Sequence, residues 1–237
     1  MLFPDLSARH LEPEIMDQAE LDRGAHRQAL KGLARLNAVT SSARILWGPL
    51  RRFCESRRGS TTRVLDIACG GADVTVRLAT WARRRGFTLE VAGCDRSPVA
   101  LEEARANAAR ADVAMELFPF DLDHDPIPSG YDVLTASLFL HHLDEERSIA
   151  LLRNLAGAAG HLVLVHDLVR GPLGYALAYT GCHFLTSSYV VRTDGPLSVR
   201  AAYTVKEVER LAQAAGMDGC HVHRRWLQRL LLTWMRP

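Results

Sequence analysis

Three aspartates stand at or just beyond the C-terminal ends of short apolar runs, and a glycine turn follows the first. Asp66 lies in Arg63-Val64-Leu65-Asp66-Ile67, which breaks into Ala68-Cys69-Gly70-Gly71-Ala72-Asp73. Asp95 follows the run from Thr88 to Cys94, with Arg96 beside it, and Asp121 follows Val113 to Phe118 and Phe120. Glycine lacks a Cβ and takes positive φ, so such a turn lets a ligand approach bare backbone. A dinucleotide turn would bring a pyrophosphate there, but Asp66 and Asp73 surround the turn with negative charge and Asp73 already complements the dipole of the helix that follows. The favoured ligand is therefore cationic. An acid at position 95 can accept both hydroxyls of a ribose. One at position 121 can reach the exocyclic amine of an adenine, with Asp123 and Asp125 close enough to share that role. Candidate proton acceptors come later, at His141-His142 and at His166-Asp167. A histidine near its ordinary pKa of ~6.5 suits general-base work.

The elements that must position these groups alternate. Strand-like runs at residues 63–67, Thr88 to Cys94, Val113 to Phe118, Tyr131 to Ser137 and His161 to Asp167 are separated by helical patterns over Val74 to Arg85, a stretch from Ser97 and Pro98 through Ala108, and Asp144 to Ala156. Gly86 is a C-terminal cap, and Ser97 is an N-cap with proline at the first helical position. This βαβα order predicts an α/β doubly wound fold around a parallel sheet. Helical spacing also runs through Leu11, Ile15 and Met16, through Ala29 to Leu36 and through Ala43 to Leu50, with breaks expected near Gly24, Ser41-Ser42 and Pro49. Residues 1–60 thus form a helical N-terminal cap or lid, and residues 61–237 a Rossmann-like domain. Within it, 171–200 is less regular and reads as a substrate-pocket insertion. Thr204 and Glu207 form a capping box, and Cys220 to Trp226 and Leu230 to Met235 read as a closing hairpin.

The glycine turn resembles motif I of the class I S-adenosylmethionine-dependent methyltransferases, D-x-G-x-G-x-G, with Asp66, Ala68, Gly70 and Ala72 at the motif positions. Ser137-Leu138-Phe139-Leu140-His141-His142-Leu143-Asp144 is similar to the segment after the fourth strand in the small-molecule and menaquinone/ubiquinone-type members. The resemblance runs from about residue 62 to 168. It implies a seven-stranded sheet of order 3-2-1-4-5-7-6 with the last strand antiparallel, S-adenosyl-L-methionine as cofactor, and N-terminal helices over the cofactor cleft. It also implies that Asp121 and the backbone of Leu122 hold the adenine edge, with Phe120 packed on the ring and Ser137 bordering the site. The Asn-Pro-Pro-Tyr signature of enzymes that methylate base amines is absent, which argues against nucleic acid. Leu138 and His141 replace the acids of the metal-binding Glu-x-x-Glu-His version, so no metal is expected.

The expected reaction is in-line transfer of a methyl group to a small phenolic or quinone-like metabolite, with O-methylation favoured. His141 or His142 is the candidate base, followed by His166, His183 and Tyr179. Tyr175 and Tyr179 could frame an aromatic ring, and Arg192 and Arg200 could hold a carboxylate or enolate. C-methylation of an activated ring or enol, or cofactor binding without methyl transfer, are the alternatives; Asp73 argues against a nicotinamide oxidoreductase. In 237 residues the chain is 48% hydrophobic and 24% charged, with a formal charge of +2, which selects no partner. Arg57-Arg58 and Arg83-Arg84-Arg85 read as solvated faces. No apolar run spans a bilayer and no signal-peptide pattern opens the chain. The five cysteines show no C-x-x-C spacing and read as reduced thiols of a cytoplasmic protein.

Overall fold

The chain enters as an extended strap across the rest of the molecule. The computed structural model describes residues 4–18 and 20–237. Residues 4–14 carry no helix, a 3-10 turn spans Ile15–Asp17, and α1 (Arg23–Val39) starts where the Asp22 side chain accepts from Ala25 N–H. The spacing of Leu11, Ile15 and Met16 therefore does not become an α-helix. The Ile15 and Met16 N–H groups instead donate to the distant Asp194 carboxylate at 3.0 and 2.9 Å. Ser41, at φ 59°, turns the chain into α2 (Ser42–Ser56). Pro49 does not break this helix as expected. Leu46, Leu50 and Phe53 bury against Val64, Val133 and Leu162, and that packing outweighs the ~3 kcal/mol an internal proline costs.

The sheet follows the expected alternation. β1 (Thr62–Ile67), β2 (Leu89–Asp95), β3 (Met115–Pro119), β4 (Val133–Ser137) and β5 (Leu162–Leu168) are parallel, with α3 (Asp73–Arg84), α4 (Pro98–Arg110) and α5 (Glu145–Ala158) among their connections. Then come α6 (Pro172–Leu185), α7 (Tyr189–Ala201), α8 (Val205–Ala214), β6 (His221–Arg225) and β7 (Arg229–Met235). The order is β3-β2-β1-β4-β5-β7-β6, with β7 antiparallel to both neighbours. Ser97 caps α4, and Thr204 and Glu207 form the capping box of α8. Among the described residues no helix is long and apolar enough to cross a membrane, and all five cysteines are free.

Residues 171–200 are not irregular; they form α6 and α7, packed on each other and on α1. Two features hide them from a periodicity reading. Helix α6 is Pro-Leu-Gly-Tyr-Ala-Leu-Ala-Tyr-Thr-Gly-Cys-His-Phe-Leu, with no polar stripe, and α7 contains Gly195 and Pro196. The glycine marks a close approach, because a Cβ there would collide with Cys182 Sγ of α6. One core lies beneath α5 and α8, the other beneath α2 and α3. Beyond the C-terminal ends of β1 and β4, α1, α6, α7 and the strap roof a cavity of about 1120 Å³. That is the switch point at which an open α/β sheet accepts ligands.

Candidate active site

All ten residues expected to meet the cofactor border this one cavity: Asp66, Ala68, Gly70 and Asp73; Asp95 and Arg96; Phe120, Asp121 and Leu122; and Ser137. The turn after β1 is wound through positive φ at three places, Ala68, Gly70 and Ala72, each at 53°. Ala68 and Ala72 stand where the motif carries glycines and adopt the glycine-type conformation anyway. Space opens over Gly70, where a Cβ would meet only a Leu30 methyl, at 3.8 Å. The Asp95 carboxylate braces the turn, accepting from Gly70 N–H at 2.8 Å and Ser97 N–H at 2.9 Å. Asp66 lies deeper. Its two oxygens accept from the Thr75 and Thr135 hydroxyls, so its main contacts are structural. Asp73 faces Asn37 of α1, with both oxygens 3.3 Å from its Nδ2.

Burial raises the pKa of all three of these carboxylates. It pushes Asp66 up to about 6 against its two threonine bonds. It outweighs the backbone bonds of Ser97 and Gly70 at Asp95, and the Asn37 bond at Asp73. A group of buried acids in this condition favours an incoming cation. The Ser137 hydroxyl, at the tip of β4, is buried without a hydrogen-bond partner among the described residues, so the cavity also presents an unmatched polar atom. In the loop after β3, Arg147 takes up Asp123 at 2.6 to 3.1 Å and Asp121 N–H occupies an oxygen of Asp125 at 2.7 Å. Asp121 Oδ1 accepts from Asp123 N–H at 3.0 Å, so of the three acids only Asp123 is tied to another side chain. Arg96 turns outward to Asp17 at 3.1 Å.

The histidine pair borders the same cavity. His141 is 4% exposed and held at two points by Asp167: its Nδ1 lies 2.6 Å from Oδ1, and its backbone N–H donates to Oδ2 at 3.0 Å. Burial pushes Asp167 up, but the charge and hydrogen bond of His141 prevail and hold it below the usual carboxylate range. An ionised Asp167 makes Nδ1 the donor and leaves Nε2 able to accept a proton. His142 Nδ1 is 3.0 Å from Asp17 Oδ2. Burial pulls its pKa down, yet Asp17 and Glu14 overcome this and raise it to about 9. These acids favour the cationic form of His142, which leaves His141 the better placed of the two to act as base. Glu14 comes from the strap, hydrogen-bonded by Ser198 at 2.6 Å, and its oxygens lie 3.8 and 3.9 Å from Nε2 of His141 and His142. These three donor atoms lie within 4.8 Å of one another, a set that could hold a divalent cation. The expectation of no metal rested on positions 138 and 141 and could not take account of Glu14.

Other candidates fall outside the cavity. His166 points into the core, both ring nitrogens lack partners among the described residues, and burial followed by the charge of Arg229 drives its pKa down to about 3. His183 Nδ1 bonds Tyr179 O at 2.7 Å on the outer face of α6. Arg192 donates to the carbonyls of Thr186 and His183, and Arg200 pairs with Glu12 at 2.8 Å. Tyr175 and Tyr179 do not border the cavity either, because α6 turns Gly174, Ala178, Gly181 and Cys182 inward. Glu14, Asp17 and Arg229 were not expected here. A lone arginine just ahead of the apolar run 230–235 was the available signal for the last, and nothing local marked the other two.

Residues 64–159 match the methyltransferase-domain family, and this segment carries the acidic glycine turn, the two further acids and the histidine pair. Together with the strand order, this match supports a class I S-adenosylmethionine-dependent methyltransferase. The cofactor of that class fits the residues present: a nucleoside with an ammonium and a sulfonium meets buried acids, an open backbone turn and the unmatched Ser137 hydroxyl. The chain is 28% identical to a ubiquinone biosynthesis O-methyltransferase of Aeromonas salmonicida over 67% of its own length and 66% of the relative's. Among solved structures it is similar to the S-adenosylmethionine-dependent methyltransferase SibL, at 26% identity and a TM-score of 0.58, covering 81% of this chain and 56% of that one. It also shares its fold with the magnesium protoporphyrin IX methyltransferase of Synechocystis, at 16% identity and a TM-score of 0.57, over 94% and 91% of the two chains. The chain spans between about half and two thirds of the length of the curated relatives it matches.

Proposed function

We propose that this protein transfers a methyl group from S-adenosylmethionine to an oxygen of a small acceptor, a phenol or reduced quinone ring, with His141 as general base. The observation that carries the reading is the His141–Asp167 pair on the wall of the cavity that also holds the acidic cradle. When bound, the cofactor supplies an electrophilic methyl group on a sulfonium. Asp95 accepts the ribose hydroxyls, Asp121 and the Leu122 backbone hold the adenine edge with Phe120 against the ring, and Gly70 lets the amino-acid end approach the turn. Asp73 and Asp66 give that end its negative surroundings. His141 Nε2 takes the acceptor's hydroxyl proton as the new O–C bond forms. Asp167 stabilises the resulting imidazolium and fixes the ring, the role a buried carboxylate plays behind a catalytic histidine. Cationic His142 favours a developing phenolate oxygen. Holding acceptor and methyl in line contributes several kcal/mol.

The test is product formation from labelled S-adenosylmethionine across a panel of phenols, catechols and quinols, with S-adenosylhomocysteine affinity measured in parallel. His141→Ala is expected to lower kcat about 10²-fold or more with cofactor affinity retained. Asp95→Ala should weaken S-adenosylhomocysteine binding at least about tenfold, ~1.4 kcal/mol. Full turnover in His141→Ala would rule out the base. Should a divalent cation bind, Glu14, His141 and His142 would be its ligands and it would polarise the acceptor oxygen. Loss of turnover on adding EDTA, restored by Mg²⁺ or Mn²⁺, would favour that role over proton transfer.

A further inference from the structure

The cofactor residues occupy one side of the cavity. The other side, formed by the end of β5, the inward faces of α6 and α7 and the turn before β7, is built from Leu168, Leu177, Ala178, Leu185, Val199 and their neighbours. One charged residue stands in this apolar wall, Arg229 at the first position of β7, paired in register with Leu168. Among the described residues no acceptor lies within hydrogen-bond or ion-pair distance of its guanidinium, and its Nε is buried with no partner. Asp167, the nearby acid that interacts with it electrostatically, has its oxygens committed to His141 and to Leu168 N–H. Burial pulls the pKa of Arg229 down to about 10, and the charge of Asp167 only partly opposes this. A half-buried cation in an apolar wall, with its Nε shut off from any partner, favours an anion that comes to meet it. Among the cavity-facing arginines, Arg23 and Arg147 are answered by Glu102 and Asp123 and Arg96 by Asp17.

We infer that Arg229 is the acceptor-recognition residue, and that the acceptor is an apolar or aromatic molecule carrying a carboxylate that the guanidinium clamps in the chamber opposite the cofactor. A carboxylate matches the planar fork of a guanidinium through two parallel hydrogen bonds and neutralises a single charge. A phosphate dianion would leave excess negative charge in an apolar wall beside Asp167. The surrounding leucines, alanine and valine take the hydrocarbon or ring. This places recognition of the acid next to the β5 tip from which Asp167 orients His141. The inference rests on the proposed reading of the cavity as a methyl-transfer site, since that reading makes this side the acceptor side.

The test uses the full chain saturated with S-adenosylhomocysteine and compares, by calorimetry, benzoate, 4-hydroxybenzoate, 3,4-dihydroxybenzoate and hexanoate with their neutral amides. At least one acid should bind about tenfold or more tighter than its amide. Arg229→Met should abolish that preference, and Arg229→Lys should keep part of it. Arg229→Met should also melt no lower than the parent, because it removes a half-buried charge that has no ion-pair partner among the described residues. No preference in any acid–amide pair, a preference that survives in Arg229→Met, or a lowered melting temperature in that variant would overturn the proposal, the last by showing a structural role. S-adenosylhomocysteine affinity is read separately in the same samples. Loss of cofactor binding would sink the parent reading, whereas intact cofactor binding without acid preference would sink this one alone.

Discussion

Asp167 does three things with two oxygens: it fixes the His141 ring, accepts the His141 backbone N–H, and accepts its neighbour's N–H at Leu168. Such density of acceptance is what keeps a fully buried carboxylate ionised and gives His141 one tautomer. The turn after β1 shows the opposite economy. Ala68 and Ala72 hold φ 53° without the freedom of glycine, and left-handed backbone costs an L-residue roughly 1–2 kcal/mol. Ala72 is packed with Val76, Ala104 and Ala108, so its methyl returns part of that cost, whereas Ala68 is only half-buried. Ala68→Gly is therefore expected to stabilise the ligand-free protein by about 1 kcal/mol in urea unfolding. No gain would show that the turn is unstrained there or that the methyl packs better than its exposure suggests.

At the scale of elements, the strap and α1 decide what the parallel strands can do. Arg9 holds the strap by donating to Tyr203 Oη at 2.6 Å, His141 O at 2.7 Å, Leu143 O at 2.6 Å and the Ala201 carbonyl, with its guanidinium 3.8 Å over the Tyr203 ring. Asp194 and Ser198 of α7 hold the next stretch, which carries Glu14 and Asp17 onto the histidine pair. Helix α1 lies close enough to the α6–α7 connection that a Cβ on Gly32 would meet Thr186 Oγ1 at 2.5 Å. Arg9→Ala should lower stability by about 2–3 kcal/mol and speed amide exchange in residues 5–17, read by mass spectrometry, while β1 to β5 stay protected. Unchanged exchange in the strap would show that α7 alone retains it.

For the whole molecule, the two core layers leave an acid-sensitive feature in the central sheet. His166 is neutral in the fold down to about pH 3, while an unfolded chain protonates it near 6.5. Between those values the unfolded state binds more protons, so this histidine makes stability fall as pH drops, by up to ~1.4 kcal/mol per pH unit, and contributes no slope above 6.5. Asp66 and Asp194, both raised to about 6, act in the opposite sense between roughly 4 and 6, because the fold then binds the extra protons. The informative quantity is therefore the difference between the parent and His166→Leu. Urea midpoints at pH 7.5, 6 and 5 should show the variant gaining on the parent as pH falls. A constant difference would mean that the imidazole finds a proton or a partner in the folded state.

The sheet was legible in the sequence because strands and crossover helices announce themselves through local periodicity, and motif acids at strand ends are placed by the backbone that carries them. Asp66, Asp95, Asp121 and Ser137 converge for that reason, and the two capping motifs are local as well. Pro49 inside α2 and the helices of residues 172–201 were not legible, since there the packing of Leu46 and Leu50, or of Gly195 on Cys182, overrides local preference. What faces what was decided by tertiary structure alone. Glu14 and Asp17 meet a histidine pair more than 120 residues away through a strap with no periodic signal, and Arg229 reaches the cavity only because β7 runs antiparallel beside β5. Local sequence sets backbone conformation over a few residues, whereas the charge and burial that give a side chain its chemistry come from groups that only folding brings near.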